Sequence, residues 1–332
     1  MDRRRFLGSA IKILGLPATI PLIDAPAIGE TNWPTRNVMM IVPFPPGGQA
    51  DFAGRPVAAA LQKILGQPVV VENRAGGAGG SVGNAIVARA PPDGYTLLMT
   101  VSSLAVLPEA DRLFGREPAY EVSQFFPLAR ILADPTLLAV PASAPWQSIQ
   151  DLVADAKKRP GAIEYGSSGP YGTLHVCMEM FAASAGIKLL HVPFRGAGPA
   201  LEALLAGTVQ ALASAPGVLK SQVDAGTLRV LANWGAARIG SFPDIPTFKE
   251  LGYKDVEFYL WAGLFTPRGV PDPVIERLRQ GIREAVASPD VVRVFKDGGS
   301  ELAYLDAPEF AEFVNADSAR LIATVRRMGK LE

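Results

Sequence analysis

The sequence predicts an α/β protein that is built from two lobes. Its 332 residues are about twice the length of a common domain, so two hydrophobic cores are expected. Apolar runs alternate with amphipathic segments over residues 37–100 and again over residues 137–232. Such alternation is typical of strands that are joined by helices. It predicts a mixed, mostly parallel sheet flanked by helices in each lobe.

The first alternating run predicts strands at 38–42, 69–72 and 96–100. A helix that begins at Asp51 follows the first strand, and a second helix is expected over residues 81–89. Apolar residues recur at helical spacing in the first of these helices. Pro56 interrupts that pattern, since it removes one helical hydrogen bond and predicts a local bend.

The second run predicts a further α/β unit. Its strands are expected at 163–165, 190–192, 209–213 and 228–232, and its helices at 148–158, 172–185 and 199–206. A long apolar strand at 257–266 and two helices complete the chain, the last of which begins at Asp306 with a capping pattern. Segments rich in Pro, Ala and Asp at 128–140 and 234–246 are the expected crossings between lobes. With these crossings, we expect lobe 1 to comprise residues 36–130 and 245–332 and lobe 2 to comprise residues 131–244.

Residues 1–27 have the composition of an export signal. Three arginines at positions 3–5 precede an apolar run, and small residues at positions 25 and 27 match those that a signal peptidase reads. The Arg-Arg-x-Phe-Leu pattern resembles a twin-arginine signal. We therefore expect cleavage after Ala27 and a periplasmic protein. An uncleaved anchor is the alternative, but the apolar run contains two prolines and is shorter than the roughly 20 residues of a spanning helix.

The composition excludes several classes of function. Lys and Arg together number 32 and Asp and Glu also number 32, without a basic block, so no nucleic-acid partner is expected. The single cysteine, Cys177, lies among apolar residues of a predicted helix and is expected to be a buried thiol. With one cysteine, two histidines and no clustered carboxylates, neither a metal site nor a cofactor is expected.

Two turns of similar character carry the functional prediction. Residues 41–51 run from an apolar strand through a Pro/Gly turn into a helix, and residues 165–173 form a Ser/Gly turn between a strand and a helix in the other half. A turn that opens a helix leaves backbone N–H groups without partners, and these suit an anion. Facing turns of this kind predict a clamp around a small carboxylate.

The chain resembles the periplasmic substrate-binding proteins of tripartite tricarboxylate transporters, the Bug family. The resemblance covers nearly all of the chain from residue 42 onward. The motifs that carry it occur in order at 42–48 with Asp51, 66–74, 91–97, 167–175, 191–194, 243–247 and 263–267.

The resemblance implies a two-lobed periplasmic binding protein fold, type II-like, with its ligand cleft between the lobes and without catalytic activity. It implies capture of a small organic carboxylate and its delivery to the membrane permease subunits of a tripartite transporter. We expect the receptor to be a monomer. The ligand-binding residues carried over by position are Phe44, Gly47, Gly48, Gln49, Asp51, Ser102, Ser103, Ser168, Gly169, Thr173, Ala215 and Pro216.

Departures from the family pattern bear on the ligand. Ala50 stands where many relatives have a hydroxyl residue, and Tyr171 and Leu174 replace residues that are often small or hydroxylic. These changes predict a drier pocket and a guest that is partly apolar or aromatic. Trp234, Trp261 and Tyr259 could stack on such a guest, although core or hinge packing is the preferred interpretation.

Other interpretations of the sequence stay open at this stage. A sensory receptor without a permease would need the same cleft. A serine hydrolase would use Ser168 with His175 or His191, but the segment around Ser168 lacks the Gly-x-Ser-x-Gly elbow. The glycine-rich segment 76–83 has the wrong spacing for a dinucleotide or phosphate loop, so a flexible surface turn is expected there.

Overall fold

Two β-sheets organise the part of the chain that the structure describes. The structure is a computed structural model and describes residues 32–330, so the expected export signal lies outside the described residues. The strands, in chain order, are β1 (Val38–Val42), β2 (Val69–Asn73), β3 (Thr96–Val101), β4 (Phe125–Pro135), β5 (Leu137–Pro141), β6 (Glu164–Ser167), β7 (Leu190–Pro193), β8 (Ala211–Ser214), β9 (Leu228–Asn233), β10 (Tyr259–Pro267) and β11 (Leu302–Asp306).

Helices connect most of these strands. They are α1 (Gln49–Leu65), α2 (Ser81–Ala88), α3 (Ser103–Leu113), α4 (Ile149–Lys158), α5 (Thr173–Ala185), α6 (Ala197–Leu205), α7 (Pro216–Asp224), α8 (Asp272–Ala287), α9 (Pro289–Asp297) and α10 (Ala307–Met328). None of the helices within residues 32–330 combines the length and the apolar composition that crossing a bilayer requires.

The larger sheet has six strands in the order β11-β4-β10-β3-β1-β2, and the smaller has five in the order β7-β6-β8-β5-β9. Strands β1, β2 and β3 are parallel, as are β7, β6 and β8. The remaining pairings of both sheets are antiparallel. The α/β architecture with mixed sheets is confirmed, but antiparallel pairing is more frequent than the sequence pattern predicts.

Helices cover both faces of the larger sheet, because successive side chains of a strand point to opposite faces. Met40 of β1 belongs to the core that also contains Leu61 of α1 and Leu278 of α8. The neighbouring Ile41 belongs to a second core together with Phe310 of α10. The first of these cores continues without a break into the smaller sheet, where it takes in Leu212.

The chain passes from the larger sheet to the smaller one at Thr136, between β4 and β5, and it returns between β9 and β10. This passage falls within the segment 128–140, which the composition predicted as a crossing between lobes, and strands β4 and β5 occupy most of that segment. Strand β4 itself was not predicted, because it contains Pro127 and Pro135, and proline usually ends a strand. Pro127 is accommodated at a register shift opposite Phe265. The residue limits of the two lobes stay a prediction.

Gly263, in the middle of β10, brings α10 close to the larger sheet. A Cβ atom at this position would lie 2.3 Å from Cζ of Phe310. Phe310 is fully buried and packs against Phe265 and Trp261. The absence of a side chain at residue 263 is thus what allows the aromatic ring to contact the strand.

We expect Gly263→Ala to lower the free energy of unfolding by about 1–3 kcal/mol, because the added methyl group overpacks the Phe310 ring. Urea unfolding measures the change. Gly240→Ala is the matched control, since a Cβ atom there would meet its nearest neighbour at an ordinary 3.5 Å. Equal stability of the two variants would contradict the close packing of α10 on β10.

Candidate functional site

The first candidate turn joins β1 to α1 and is shaped by two glycines. Gly47 has a φ of +86°, a region that side chains other than glycine rarely adopt. Gly48 is extended and precedes the first residue of α1, which is Gln49 rather than the predicted Asp51. The helix begins two residues earlier than expected because glycine can occupy the N-cap position without a capping side chain.

Asp51 is therefore not the N-cap but lies in the first turn of α1. Its carboxylate accepts hydrogen bonds from the Gly47 N–H (3.2 Å), from Arg55 (2.8 and 2.9 Å) and from Asn73 (3.0 Å). Burial raises the pKa of Asp51, but the hydrogen bonds from Arg55, Asn73 and Gly47 outweigh burial and lower the pKa below its usual value. The Asp51 carboxylate is thus the acceptor for the Gly47 N–H and links the two ends of the turn.

The second candidate turn joins β6 to α5. Gly169 has a φ of +104°, and Gly172 is the N-cap of α5. The Gly169 N–H donates to the Ser167 hydroxyl at 3.0 Å, and the Tyr171 N–H donates to Nδ1 of His175 at 2.9 Å. The side chains of Ser167 and His175 thus help to hold the turn in shape.

A third loop, at residues 76–83, contacts the second candidate turn. The Gly79 N–H donates to the Ser168 carbonyl oxygen at 3.2 Å. A Cβ atom on Gly169 would lie 3.2 Å from the Ala78 Cα atom, so the two backbones are in close contact. Gly79 and Gly80 are buried. Gly77 and Val82 are exposed, in agreement with the surface turn predicted for residues 76–83, but Gly79 packs against the second candidate turn.

A cavity of about 20 Å³ lies between the two candidate turns. Residues from both turns line it together with apolar residues of the larger sheet and the start of α6. The lining residues are Phe44, Gly48, Gln49, Ala50, Val101, Ser168, Thr173, Leu174, Ala197 and Leu260. A cavity of this size holds about one water molecule.

Three helices begin at this cavity: α1, α5 and α6. Among residues 32–330, no acceptor is found for the backbone N–H groups in the first turns of the first two helices. These groups belong to Gly48, Gln49, Ala50, Thr173 and Leu174. Each helix N-terminus carries a partial positive charge of about half an elementary unit, so the three together favour a negatively charged guest.

The structure does not bring all the expected site residues to the cavity. Phe44, Gly48, Gln49, Ser168 and Thr173 line it. Gly47, Asp51 and Gly169 lie in the turns behind this lining. Ser102 and Ser103 are buried one layer away, where Ser102 contacts the Thr173 hydroxyl at 3.5 Å and Ser103 donates to Gly79. Ala215 and Pro216 begin α7 and are not part of the lining. Their role in binding stays a prediction.

Sequence reasoning missed the contribution of α6. This helix begins at Ala197, two residues before the predicted start, and Ala197 lines the cavity. Gly198 lies so close to the first turn that a Cβ atom there would come within 2.4 Å of the Pro46 carbonyl oxygen. The signal was present in the sequence, because Gly196 and Gly198 follow the end of β7 as a third Gly-rich strand-to-helix turn.

A buried polar cluster adjoins the cavity beside Gln49. The Gln49 Nε2 atom donates to the Asp134 carboxylate at 2.6 Å, and the Ser300 hydroxyl donates to the same oxygen at 2.8 Å. Asp134 is 4% exposed. Burial raises its pKa to about 7, although hydrogen bonds from Ser300, Gln49 and the Glu301 N–H act in the opposite direction.

The two histidines stack on each other at 3.8 Å and do not contact Ser168 through a hydrogen bond. His191 instead contacts the hydroxyl of Ser167, at 2.6 Å, and Ser167 is fully buried. Burial lowers the pKa of His175 to about 3, with a further contribution from His191, and burial lowers the pKa of His191 to about 4. Both rings are therefore neutral at pH 7, and the Ser168 pairing that a hydrolase would need is not formed.

The stacked histidines border an open groove of about 490 Å³ on the other side of the second turn. Tyr171 lines this groove and not the small cavity, whereas Leu174 lines the small cavity as expected. Trp234 and Trp261 are each 1% exposed, which confirms core packing. Cys177 is buried as predicted. Within the described residues, no group of three or more His, Cys, Asp or Glu side chains could hold a metal ion.

Comparisons with known proteins agree on one family. The family profile described as tripartite tricarboxylate transporter family receptor matches residues 53–330. A UPF0065 protein from the tcbD-tcbE intergenic region of Pseudomonas sp. (strain P51) is 36% identical over 324 residues, which cover 96% of this chain and 93% of that protein. Protein BugT of Bordetella pertussis is 34% identical, with coverage of 96% of this chain and 97% of that protein.

Solved structures show the same similarity. The periplasmic binding protein BugD matches with a TM-score of 0.84 and 29% identity, covering 90% of this chain and 99% of that one. R. palustris Rpa4515 with adipate matches at 0.82 and 30%, covering 89% and 97%. MatC of Rhodopseudomonas palustris with bound malate matches at 0.81 and 28%, covering 88% and 99%.

The buried Asp134 carboxyl predicts a pH dependence of stability. In the folded protein it keeps its proton up to about pH 7, whereas in the unfolded chain it loses it near pH 4. The folded state therefore binds more protons between these values, and the free energy of unfolding falls as the pH rises from about 4 to 7, by up to about 4 kcal/mol. We expect Asp134→Asn to remove this loss.

Urea unfolding of the native protein and of Asp134→Asn at pH 5 and pH 8 measures the effect. The variant should be the more stable of the two at pH 8. Asp244→Asn, at an exposed position, is the matched control and should retain the native dependence. An identical pH slope in native protein and Asp134→Asn would show that Asp134 does not carry the shift.

Proposed function

This chain belongs to the tripartite tricarboxylate transporter receptor family, and on that premise we propose that it captures a small organic carboxylate and delivers it to a tripartite transporter. The guest is held between the turn that precedes α1 and the turn that precedes α5. No catalytic step is part of the proposal. The observation that carries it is the convergence on one cavity of backbone N–H groups that have no acceptor among residues 32–330.

The energetics of such a site favour a carboxylate. Moving a carboxylate out of water costs several kcal/mol, and each charge-assisted hydrogen bond returns about 1.5–3 kcal/mol. The free amides at the starts of α1 and α5, with the hydroxyls of Ser168 and Thr173, supply enough donors to offset this cost. Micromolar affinity requires about 8 kcal/mol in total, so apolar contact with residues such as Leu174 and Leu260 contributes the rest.

The proteins with known guests support the chemical class. Two of the similar solved structures, at 30% and 28% identity to this chain, contain adipate and malate, which are both small dicarboxylates. The two guests differ in chain length and in one hydroxyl group. We infer that the carboxylate is the common element, and that the lining of each individual cavity selects the remainder of the molecule.

Binding requires a change of conformation in this proposal. The cavity holds about one water molecule, so a guest enters only after the turns around it have separated. The Gly79 to Ser168 hydrogen bond is one of the contacts that would break. The guest then shifts the equilibrium back to a closed form, because it contacts both turns at once and binds that form more tightly.

The partner and the location follow from the family role and are proposals for this chain. We propose that membrane permease subunits of a tripartite transporter accept the closed receptor, and that the receptor itself is a monomer. We propose that residues 1–27 direct export and are removed after Ala27. We propose likewise that the residues expected at the site, from Phe44 to Pro216, line or support the cleft when it opens.

We expect Ser168→Ala together with Thr173→Val to weaken carboxylate binding by about tenfold to a hundredfold, because two donors at the cavity are lost. Thermal unfolding in the presence of a carboxylate library identifies guests by a rise in Tm, and calorimetric titration then gives the affinities. Ser221→Ala with Thr208→Val, at exposed positions, is the matched control.

A library without any rise in Tm for the native protein would contradict the proposed function. Unchanged affinity in the Ser168 and Thr173 double variant, with binding intact in the native protein, would contradict only the assignment of these two hydroxyls.

A separate prediction concerns the hydrolase alternative. We expect no hydrolysis of ester substrates that depends on Ser168, because its hydroxyl lacks a histidine partner among the described residues. Chromogenic ester assays of the native protein and of Ser168→Ala should give equal background rates. A rate that falls in Ser168→Ala would revive the hydrolase interpretation.

A further inference from the structure

Gln49 is a buried polar side chain in the wall of the proposed carboxylate cavity. It is 3% exposed and belongs to the first residue of α1, directly after the glycine turn. Its Nε2 atom donates to Asp134 at 2.6 Å. This hydrogen bond joins residues that are 85 positions apart and fixes the side chain between the turn and the end of β4.

The surroundings of Asp134 determine which end of the Gln49 amide faces the carboxylate. Asp134 also accepts hydrogen bonds from the Ser300 hydroxyl and from the Glu301 backbone N–H. Above about pH 7 Asp134 is ionised and can only accept hydrogen bonds, so the amide nitrogen of Gln49 faces it. The amide oxygen, Oε1, then forms the other end of the group.

The Gln49 Oε1 atom is buried and has no hydrogen-bond donor among the described residues. A buried carbonyl oxygen without a partner destabilises the protein, and such atoms are rare in native structures. The other polar side-chain atoms of the lining are the hydroxyls of Ser168 and Thr173. An acceptor that is held in place and left unpaired beside a binding cavity calls for a donor that the guest supplies.

We propose that Gln49 Oε1 selects a guest with a hydroxyl group on the carbon next to its carboxylate, that is, a 2-hydroxy acid. The inference rests on the proposed function. The position of the hydroxyl follows from geometry, because the backbone N–H of Gln49 and its Oε1 belong to the same residue of the turn. When the guest's carboxylate accepts from the Gln49 backbone N–H, the carbon next to that carboxylate is therefore the part of the guest nearest to Gln49 Oε1.

A hydroxyl fits this cavity better than an ammonium group does. An ammonium carries a full charge and three donors, whereas Oε1 is the one unpaired carbonyl side-chain atom among the described lining residues. Val101, Leu174 and Leu260 contribute apolar surface to the same cavity. The partial positive charges of the three helix N-termini oppose a cationic ammonium group, whereas a neutral hydroxyl donates to Oε1 without that cost.

Matched pairs of acids test the inference. The probes are succinate and malate, phenylacetate and mandelate, and adipate and 2-hydroxyadipate, each pair differing by the 2-hydroxyl, with aspartate as the amine counterpart of malate. Calorimetric titration of the native protein at pH 8, where Asp134 is mostly ionised, should show that the hydroxy acid binds about tenfold to a hundredfold more tightly than its partner. In Gln49→Met, a variant of similar length without the acceptor, the two members of a pair should bind equally.

Gln62→Met is the matched control, since Gln62 lies on the exposed side of the same helix, and it should retain the native preference. If Gln49→Met does not fold, Asp134→Asn replaces it. An asparagine can donate as well as accept, so the Gln49 amide is free to turn, and the preference for the hydroxy acid should shrink.

Equal binding within the pairs by the native protein would overturn the inference, and it would indicate that a water molecule satisfies Oε1. A preference that survives in Gln49→Met would overturn it as well. Tighter binding of aspartate than of malate would also overturn it, because the group that donates to Oε1 would then be an ammonium and not a hydroxyl. Binding of other carboxylates with none of the pairs bound would refute the 2-hydroxy class alone, whereas the absence of binding by every carboxylate would refute the proposed function too.

Discussion

The convergence of three helix N-termini on one small cavity is the constraint on which the site depends. Helices α1, α5 and α6 begin in different parts of the chain, yet Gln49, Thr173 and Ala197 line the same space. Partial positive charges of the same sign are brought together there, and the backbone N–H groups at the starts of α1 and α5 have no acceptor among the described residues. An anion relieves both costs at once, which explains why a receptor can bind a carboxylate without an arginine in the cavity.

The hydrogen bonds of Asp51 hold the first candidate turn in shape. Its carboxylate accepts the Gly47 N–H and is itself held by Arg55 and Asn73. One amide of the turn is thereby satisfied internally, and the next three remain available. Because the network links the turn to β2 through Asn73, the geometry of the donors is set before a guest arrives, which reduces the entropy that binding must overcome.

The polar cluster around Asp134 lowers the stability of the protein near neutral pH. The same cluster holds the side-chain amide of Gln49 in place. A buried carboxyl with a pKa raised to about 7 is unfavourable to ionise. Its hydrogen bond to Gln49 nevertheless keeps an acceptor oriented beside the cavity. Positions where local stability is low for this kind of reason are characteristic of functional sites, since a well-satisfied core would have no need to retain them. The same cluster joins α1, β4 and the segment before β11, so it also positions the turn relative to the larger sheet.

The sequence by itself determined the α/β class, the order of most strands and helices, and the two turns that carry the candidate site, because strand periodicity and glycine turns are local properties. Only the tertiary structure decided which residues meet at the cavity. The contact of Gly79 with Ser168, the arrival of Ala197 and the pairing of Gln49 with Asp134 all join residues far apart in the chain. Local patterns contain no information on such pairs, and strand β4 was missed for a related reason: its register against β10, and not its own composition, makes it a strand.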